Sequence, residues 1–157
     1  MSGESSPPGP RRSAPAGGAG GEFVDTSILL YAHDATAGRK RTLAVALLER
    51  LFDERRGLLS SQVLMEFYVA ATRKLSPRLD PQTAASIVDD FGTWPVFTPS
   101  VADILAGARL AERHGIHFWD GMIVRAAVTL DAGVIWSEDL NPGQRYGGVA
   151  VRNPFAP

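Results

Sequence analysis

A chain of 157 residues, 45% of them hydrophobic and with a net charge of −1, is long enough for one ordinary globular domain. Its balanced charge neither demands nor forbids a nucleic-acid partner, which a local patch would have to meet, and the absence of cysteine excludes a disulfide framework or a thiolate metal site. No apolar run reaches the roughly 18–20 residues of a membrane span, and no apolar signal segment follows the N-terminal arginines, so no membrane is involved and the expected location is cytoplasmic.

Residues 1–21, MSGESSPPGPRRSAPAGGAGG, hold too little apolar surface to offset the entropy of ordering them, and a disordered tail is expected there. The folded domain then covers residues 22–157. It opens on a short strand, Glu22 to Val24, that runs into Asp25; Thr26 and Ser27 suit the start of a helix. RKRTLAVALLERLFDERRG predicts an amphipathic helix stopped by Gly57. LLSS is a short buried strand feeding the helix that contains VLMEFYVAA, Val63 to Ala71. That stretch is apolar nearly all round, the pattern of a largely buried helix, and Glu66 interrupts it.

Further along, LDPQTAASIVDDFG begins with Asp80 as a cap and Pro81 at the first helical position, and Gly92 ends it. WPVFT is a strand. PSVADILAGARLAERHG opens with Ser100 and Asp103 at capping-box spacing and closes at Gly115. WDGMIVRAAVTLDAG predicts a helix ended by Gly133, with Trp119 and Ile123 facing the core. VIWS is a strand leading into the turn EDLNPGQ, and GVAVRNPF holds a last short strand. Strands alternating with helices predict an α/β fold with a parallel central sheet of about four to five strands and helices on both faces.

In open parallel sheets, ligands sit beyond the carboxyl ends of the strands. Asp25 and Asp139 each follow a predicted strand directly. Glu66 lies one to two turns into the helix after LLSS, and Asp120 lies in the first turn of its helix. Each has an ordinary alternative: Asp25 and Asp120 as helix caps, Asp139 as a turn residue, Glu66 as a helix-edge residue with its head in water. Together, four carboxylates at one mouth repel one another unless a cation neutralises them. Oxygen ligands without His or Cys partners suit Mg²⁺ or Mn²⁺, which orient phosphate oxygens and activate water, the requirements of phosphoryl transfer.

FVDTSILLYAHD, SSQVLMEFYVAATRK, FWDGMIVRAA and WSEDLNPGQRYGGVAVRNPF resemble, in order, the acidic motifs of the PIN-domain family. The resemblance extends from about Phe23 to Phe155 and is closest to the VapC toxins of bacterial toxin–antitoxin modules. It implies a Rossmann-like sheet and a metal-dependent endoribonuclease acting on RNA, usually a homodimer held inactive by a cognate antitoxin protein. It places the four successive acids on Asp25, Glu66, Asp120 and Asp139, with Glu138 as an alternative to the last. Thr26 and Ser137 fall where the family carries small hydroxyl residues that support the acids.

Other readings use the same residues. A PIN-fold module could bind RNA or protein without catalysis, and a PIN nuclease could act outside a toxin–antitoxin pair. A phosphorelay receiver needs a lysine after a late strand, and VIWSEDLN has none. Arg39, Lys40, Arg41, Arg55, Arg56, Arg73, Lys74 and Arg78 are either solvated helix faces or contacts for an RNA backbone. His33, His114 and His117 lack the spacing of a histidine metal site.

Overall fold

The computed structural model describes residues 20–157, so the expected tail lies outside the described residues apart from Gly20 and Gly21. Among the described residues six strands and six helices follow in the order β1 (Glu22–Val24), α1 (Thr26–Ala32), α2 (Arg39–Glu54), β2 (Gly57–Ser60), α3 (Ser61–Arg73), α4 (Pro81–Phe91), β3 (Val96–Phe97), α5 (Val101–His114), α6 (Phe118–Thr129), β4 (Val134–Trp136), β5 (Arg145–Tyr146) and β6 (Val149–Arg152). The sheet order is β3-β2-β1-β4-β6-β5. The first five strands in that order are parallel, as the alternating pattern predicts. The sixth, β5, pairs antiparallel with β6 at the edge, and its two residues lie inside what the sequence presents as one loop.

Several helix ends follow local chemistry. Asp80 caps α4 by accepting from Thr83 N at 3.0 Å, with Pro81 at the first turn. Ser100 and Asp103 form a reciprocal capping box on α5, and Gly115 closes that helix in a left-handed conformation at φ 62°.

Two ends differ from expectation. Helix α2 stops at Glu54 because Arg55 itself takes the left-handed conformation at φ 54°, two residues before Gly57. Gly57 serves a different need, since a Cβ there would overlap the Trp94 ring. Gly57→Ala is therefore expected to lower stability by about 1–3 kcal/mol, as overpacking of a filled interior does, read from the denaturant midpoint. Helix α6 stops at Thr129, four residues short of Gly133; Asp131 adopts φ 56°, and Gly133 N donates to Gly21 O at 2.9 Å.

The core lies between sheet and helices, with Phe23, Ile28, Leu59, Phe67 and Ile135 fully buried. Helix α3 corrects the expectation of all-round burial. Val63, Phe67 and Ala71 face inward, whereas Met65 is 62% and Val69 47% exposed. The physical reason is that, among the described residues, α3 packs mainly on α1, α4 and β2, which leaves its outer side uncovered in a single chain.

The strand order reverses between β1, followed outward by β2, and β4, followed outward by β6. At such a switch point the connections leave in opposite directions and open a crevice at the carboxyl ends of the two strands. Asp25 follows β1 and Ser137 follows β4, so both sit at that crevice.

Candidate active site

Asp25 is the most deeply placed acid, 6% exposed. Its Oδ1 accepts from Thr26 N at 2.7 Å, capping α1, and its Oδ2 accepts from Ser137 Oγ at 2.7 Å across the switch point. Burial pushes its carboxyl up to about 6; the bonds from Ser137 and Thr26 oppose the shift, and the nearby Asp139 and Glu66 add to it.

Thr26 ties a second acid to this corner. Its Oγ1 donates to Glu66 Oε2 at 2.7 Å, while Gln62 Nε2 donates to Glu66 Oε1 at 3.0 Å. Both carboxylate oxygens of Glu66 are thus oriented, although the residue itself is exposed at the mouth. The interruption in VLMEFYVAA is neither a buried charge nor a freely solvated one.

Asp120, in the first turn of α6, has its carboxyl raised by partial burial; His117 opposes the shift, and Asp139 and Glu66 reinforce it. Asp139 and Glu66 are therefore both close enough to act on Asp25 and on Asp120, and all four acids share one mouth. Among the described residues none of the four forms an ion pair. Glu138 points elsewhere: its Oε1 accepts from Lys40 Nζ at 2.5 Å, and Lys40 lies over the Tyr31 ring.

Ser137 also accepts at its Oγ from the backbone N–H groups of Asp139 and Leu140, both at 3.2 Å. One hydroxyl thereby fixes Asp25 and the turn that presents Asp139. A cavity of about 310 Å³ opens beside these residues, lined by Asp120, Asp139, the Gly115–His117 turn, Leu140 and Asn141.

The donor set suits a hard divalent ion: four carboxylates, no thiolate, and negative charge without a paired cation. Among the described residues no three His, Cys, Asp or Glu side chains converge closely enough to hold a metal ion between them. Mg²⁺ needs no such group, since it keeps several waters and takes one or two carboxylates rather than a full protein shell.

Trp119 does not enter the core as its place beside Asp120 predicts. It is 62% exposed while Ile123, one turn later, is 2% exposed. The first turn of α6 lies at the mouth, where His117 and Asp120 line the cavity. Of the basic candidates, Lys40 is engaged by Glu138 and Arg56 by Glu22 and Glu54, whereas Lys74 lines a cleft with Thr26 and Glu66. Sequence reasoning missed Gln62, which is buried and also donates to Trp119 O at 3.2 Å. Its i,i+4 spacing to Glu66 on α3 was the available signal.

The family model described as PIN domain matches residues 23–146. No curated protein matches the chain in sequence. Among solved structures, the chain is similar to VapC20 of Mycobacterium tuberculosis, a Sarcin-Ricin loop cleaving toxin, at TM-score 0.57 and 17% identity, over 75% of this chain and 89% of that one. DNA-bound VapBC from Salmonella typhimurium is similar at TM-score 0.59 and 19% identity, over 86% and 98% of the two chains. VapBC2 from Rickettsia felis, bound to a promoter DNA fragment, is similar at TM-score 0.55 and 18% identity, over 84% and 97%.

Proposed function

This chain belongs to the PIN-domain family, and from that membership we propose that it is a Mg²⁺- or Mn²⁺-dependent endoribonuclease, the toxin of a type II toxin–antitoxin pair. The observation that carries the proposal is the group of four carboxylates at the switch point of the sheet, held by Thr26, Gln62 and Ser137 and left without a paired cation among the described residues.

Asp25, Glu66, Asp120 and Asp139 are the residues that would hold the ion. When bound, a divalent ion supplies positive charge opposite the phosphodiester oxygens and lowers the pKa of water at the site. The chain's own residues do the rest. Ser137 and Thr26 keep Asp25 and Glu66 in fixed orientations, so little side-chain entropy is lost when the site is loaded. Carboxylate oxygens left free when the ion is bound would accept hydrogen bonds from the attacking water and so orient it. Lys74, beside Glu66, is placed to contact the RNA backbone.

The resemblance to the solved VapBC assemblies supports a cognate antitoxin as partner. A basic antitoxin side chain entering the mouth would compensate the acids through charge-assisted hydrogen bonds. A homodimer is supported by the apolar side chains left outside on α3 and α5: Met65 at 62%, Val69 at 47%, Val101 at 74% and Leu105 at 53% exposure. Among the described residues no helix is long and apolar enough to cross a membrane. A cytoplasmic site of action is part of the proposal.

The test is incubation of the purified protein with structured RNAs in Mn²⁺ or in chelator, with the product ends mapped. Cleavage at defined positions in Mn²⁺ alone is expected. The ion should also raise the melting temperature, since ligand at a hundredfold its Kd adds about 2.7 kcal/mol to the folded state. No cleavage together with unchanged melting at millimolar Mn²⁺ would favour a binding module on the same fold.

A further inference from the structure

We propose that the cavity between the Gly115–His117 turn and the Leu140–Asn141 turn is a nucleobase subsite that receives one base flanking the scissile phosphate, with His117 and Asn141 as the residues that choose it. The inference rests on the endoribonuclease reading and adds to it where the base goes.

Size and position come first. The cavity, about 310 Å³, stands at the small end of ligand clefts, which span roughly 300–1,000 Å³. That suits a single base. Two of its walls are Asp120 and Asp139, so a group seated in it lies within one nucleotide of the acids.

The lining is mainly polar with two apolar members, and a base needs both, apolar contact at its faces and polar groups at its edges. Ile116 and Leu140 are the apolar members, and Leu140 is anchored in the core at 3% exposure. His117 and Asn141 are the polar members outside the acidic set. His117 begins α6 at the N-cap position, yet its side chain makes no capping bond. The backbone carbonyl of Asn141 accepts from Gln144 N at 3.2 Å, and its carboxamide carries a donor and an acceptor side by side. Gly115, at φ 62°, turns the chain into this wall, and a Cβ placed on it would meet no atom within 4 Å, so the space in front of it is open.

Both walls are also fixed. On one side His114, the last residue of α5, packs edge-on to Tyr146 at 4.8 Å between ring centroids, which holds the Gly115–His117 turn against β5. On the other, Leu140 N donates to Ser137 Oγ, the same hydroxyl that donates to Asp25. A base read by this cavity is thereby read at a set distance from Asp25, as discrimination linked to cleavage needs.

The experiment uses the full chain with Mg²⁺ and follows backbone amide resonances while adding each of the four nucleoside 5′-monophosphates, or ribose 5-phosphate as a baseless control. Expected are shifts at residues 115–117 and 140–141, with one nucleotide binding at least about tenfold tighter than the control, the effect of one or two base-edge hydrogen bonds. Asn141→Ala and His117→Ala should bring that ratio toward one; both side chains are exposed, and the unchanged remainder of each spectrum verifies the fold. Equal binding of the control, or shifts confined elsewhere, would overturn the subsite. Cleavage of oligonucleotides varied at the bases beside the cut separates the two proposals. A base preference that neither substitution alters removes the subsite and leaves the nuclease standing. A wild-type protein that cuts no RNA removes the nuclease reading, while the nucleotide titration still judges the cavity.

Discussion

Asp25→Asn is expected to lower Mn²⁺-dependent RNA cleavage by at least about a thousandfold, the scale of losing a central catalytic group, while making the metal-free protein more stable at neutral pH. The two effects share one cause. Asp25 is 6% exposed and its carboxyl is pushed from an ordinary 3.8 up to about 6, so the folded state holds the charged form at a cost. Because the folded value lies above the unfolded one, the associated stability is complete below about 3.8 and is lost as pH rises through about 6. A shift of this size is worth about 3 kcal/mol above that window.

Asn is nearly isosteric and caps helices as well as Asp, so Thr26 N keeps its acceptor; the amide NH2 in place of Oδ2 cannot accept from Ser137 Oγ, which offsets part of the gain. The variant should therefore match wild type near pH 4 and exceed it by about 1–3 kcal/mol near pH 8 in chelator, the difference growing across the same window. Denaturant unfolding of both proteins at several pH values in chelator, beside cleavage assays in Mn²⁺, measures this. Comparing the two proteins cancels the carboxyls they share, including the raised Asp120 and the lowered Glu138. A stability difference between variant and wild type that does not change between pH 4 and pH 8 would show that Asp25 is a structural cap whose charge the fold tolerates without an ion.

Glu66→Gln should divide activity from stability in another way. Glu66 is exposed and receives one bond at each oxygen, from Thr26 Oγ1 at 2.7 Å and Gln62 Nε2 at 3.0 Å. The amide oxygen of Gln can keep one of these, and the charge removed was already near solvent. Stability in chelator should change by no more than about 0.5 kcal/mol, as for most surface substitutions, or rise slightly as repulsion from Asp120 and Asp25 falls. Ion affinity should fall because a neutral oxygen replaces a carboxylate, and cleavage should fall by orders of magnitude at fixed Mn²⁺. Partial recovery at high Mn²⁺ is the signature that separates weakened ion binding from misfolding. Full cleavage at low Mn²⁺ would remove Glu66 from the site.

Much of the fold was legible because it is written in short-range chemistry. Asp80–Pro81, Ser100 with Asp103, and Gly115 mark helix ends through contacts within a few residues. The alternation of apolar strands with amphipathic helices leaves few options besides a parallel sheet. Asp25 directly follows β1 and so falls at its carboxyl mouth, and Asp139 lies in the turn three residues after β4.

What the sequence could not reveal depended on partners far away along the chain. Glu138 and Asp139 are adjacent and chemically similar; only the fold brings Lys40, 98 positions from Glu138, to draw it away from the mouth. Trp119 sits one turn before Ile123 on α6, yet it is exposed at the mouth where Ile123 is buried. Helix α2 ends at Glu54, with Arg55 rather than Gly57 in the left-handed position, and Gly57 instead makes room for the Trp94 ring against β2. Gln62 joins α3 to α6 by bonding both Glu66 and Trp119 O, a link spanning 57 positions. Caps and periodicity are set by neighbours in sequence, so the chain states them directly. Exposure, charge pairing and close approach are set by neighbours in space, which exist only after the loops have closed and the helices have packed.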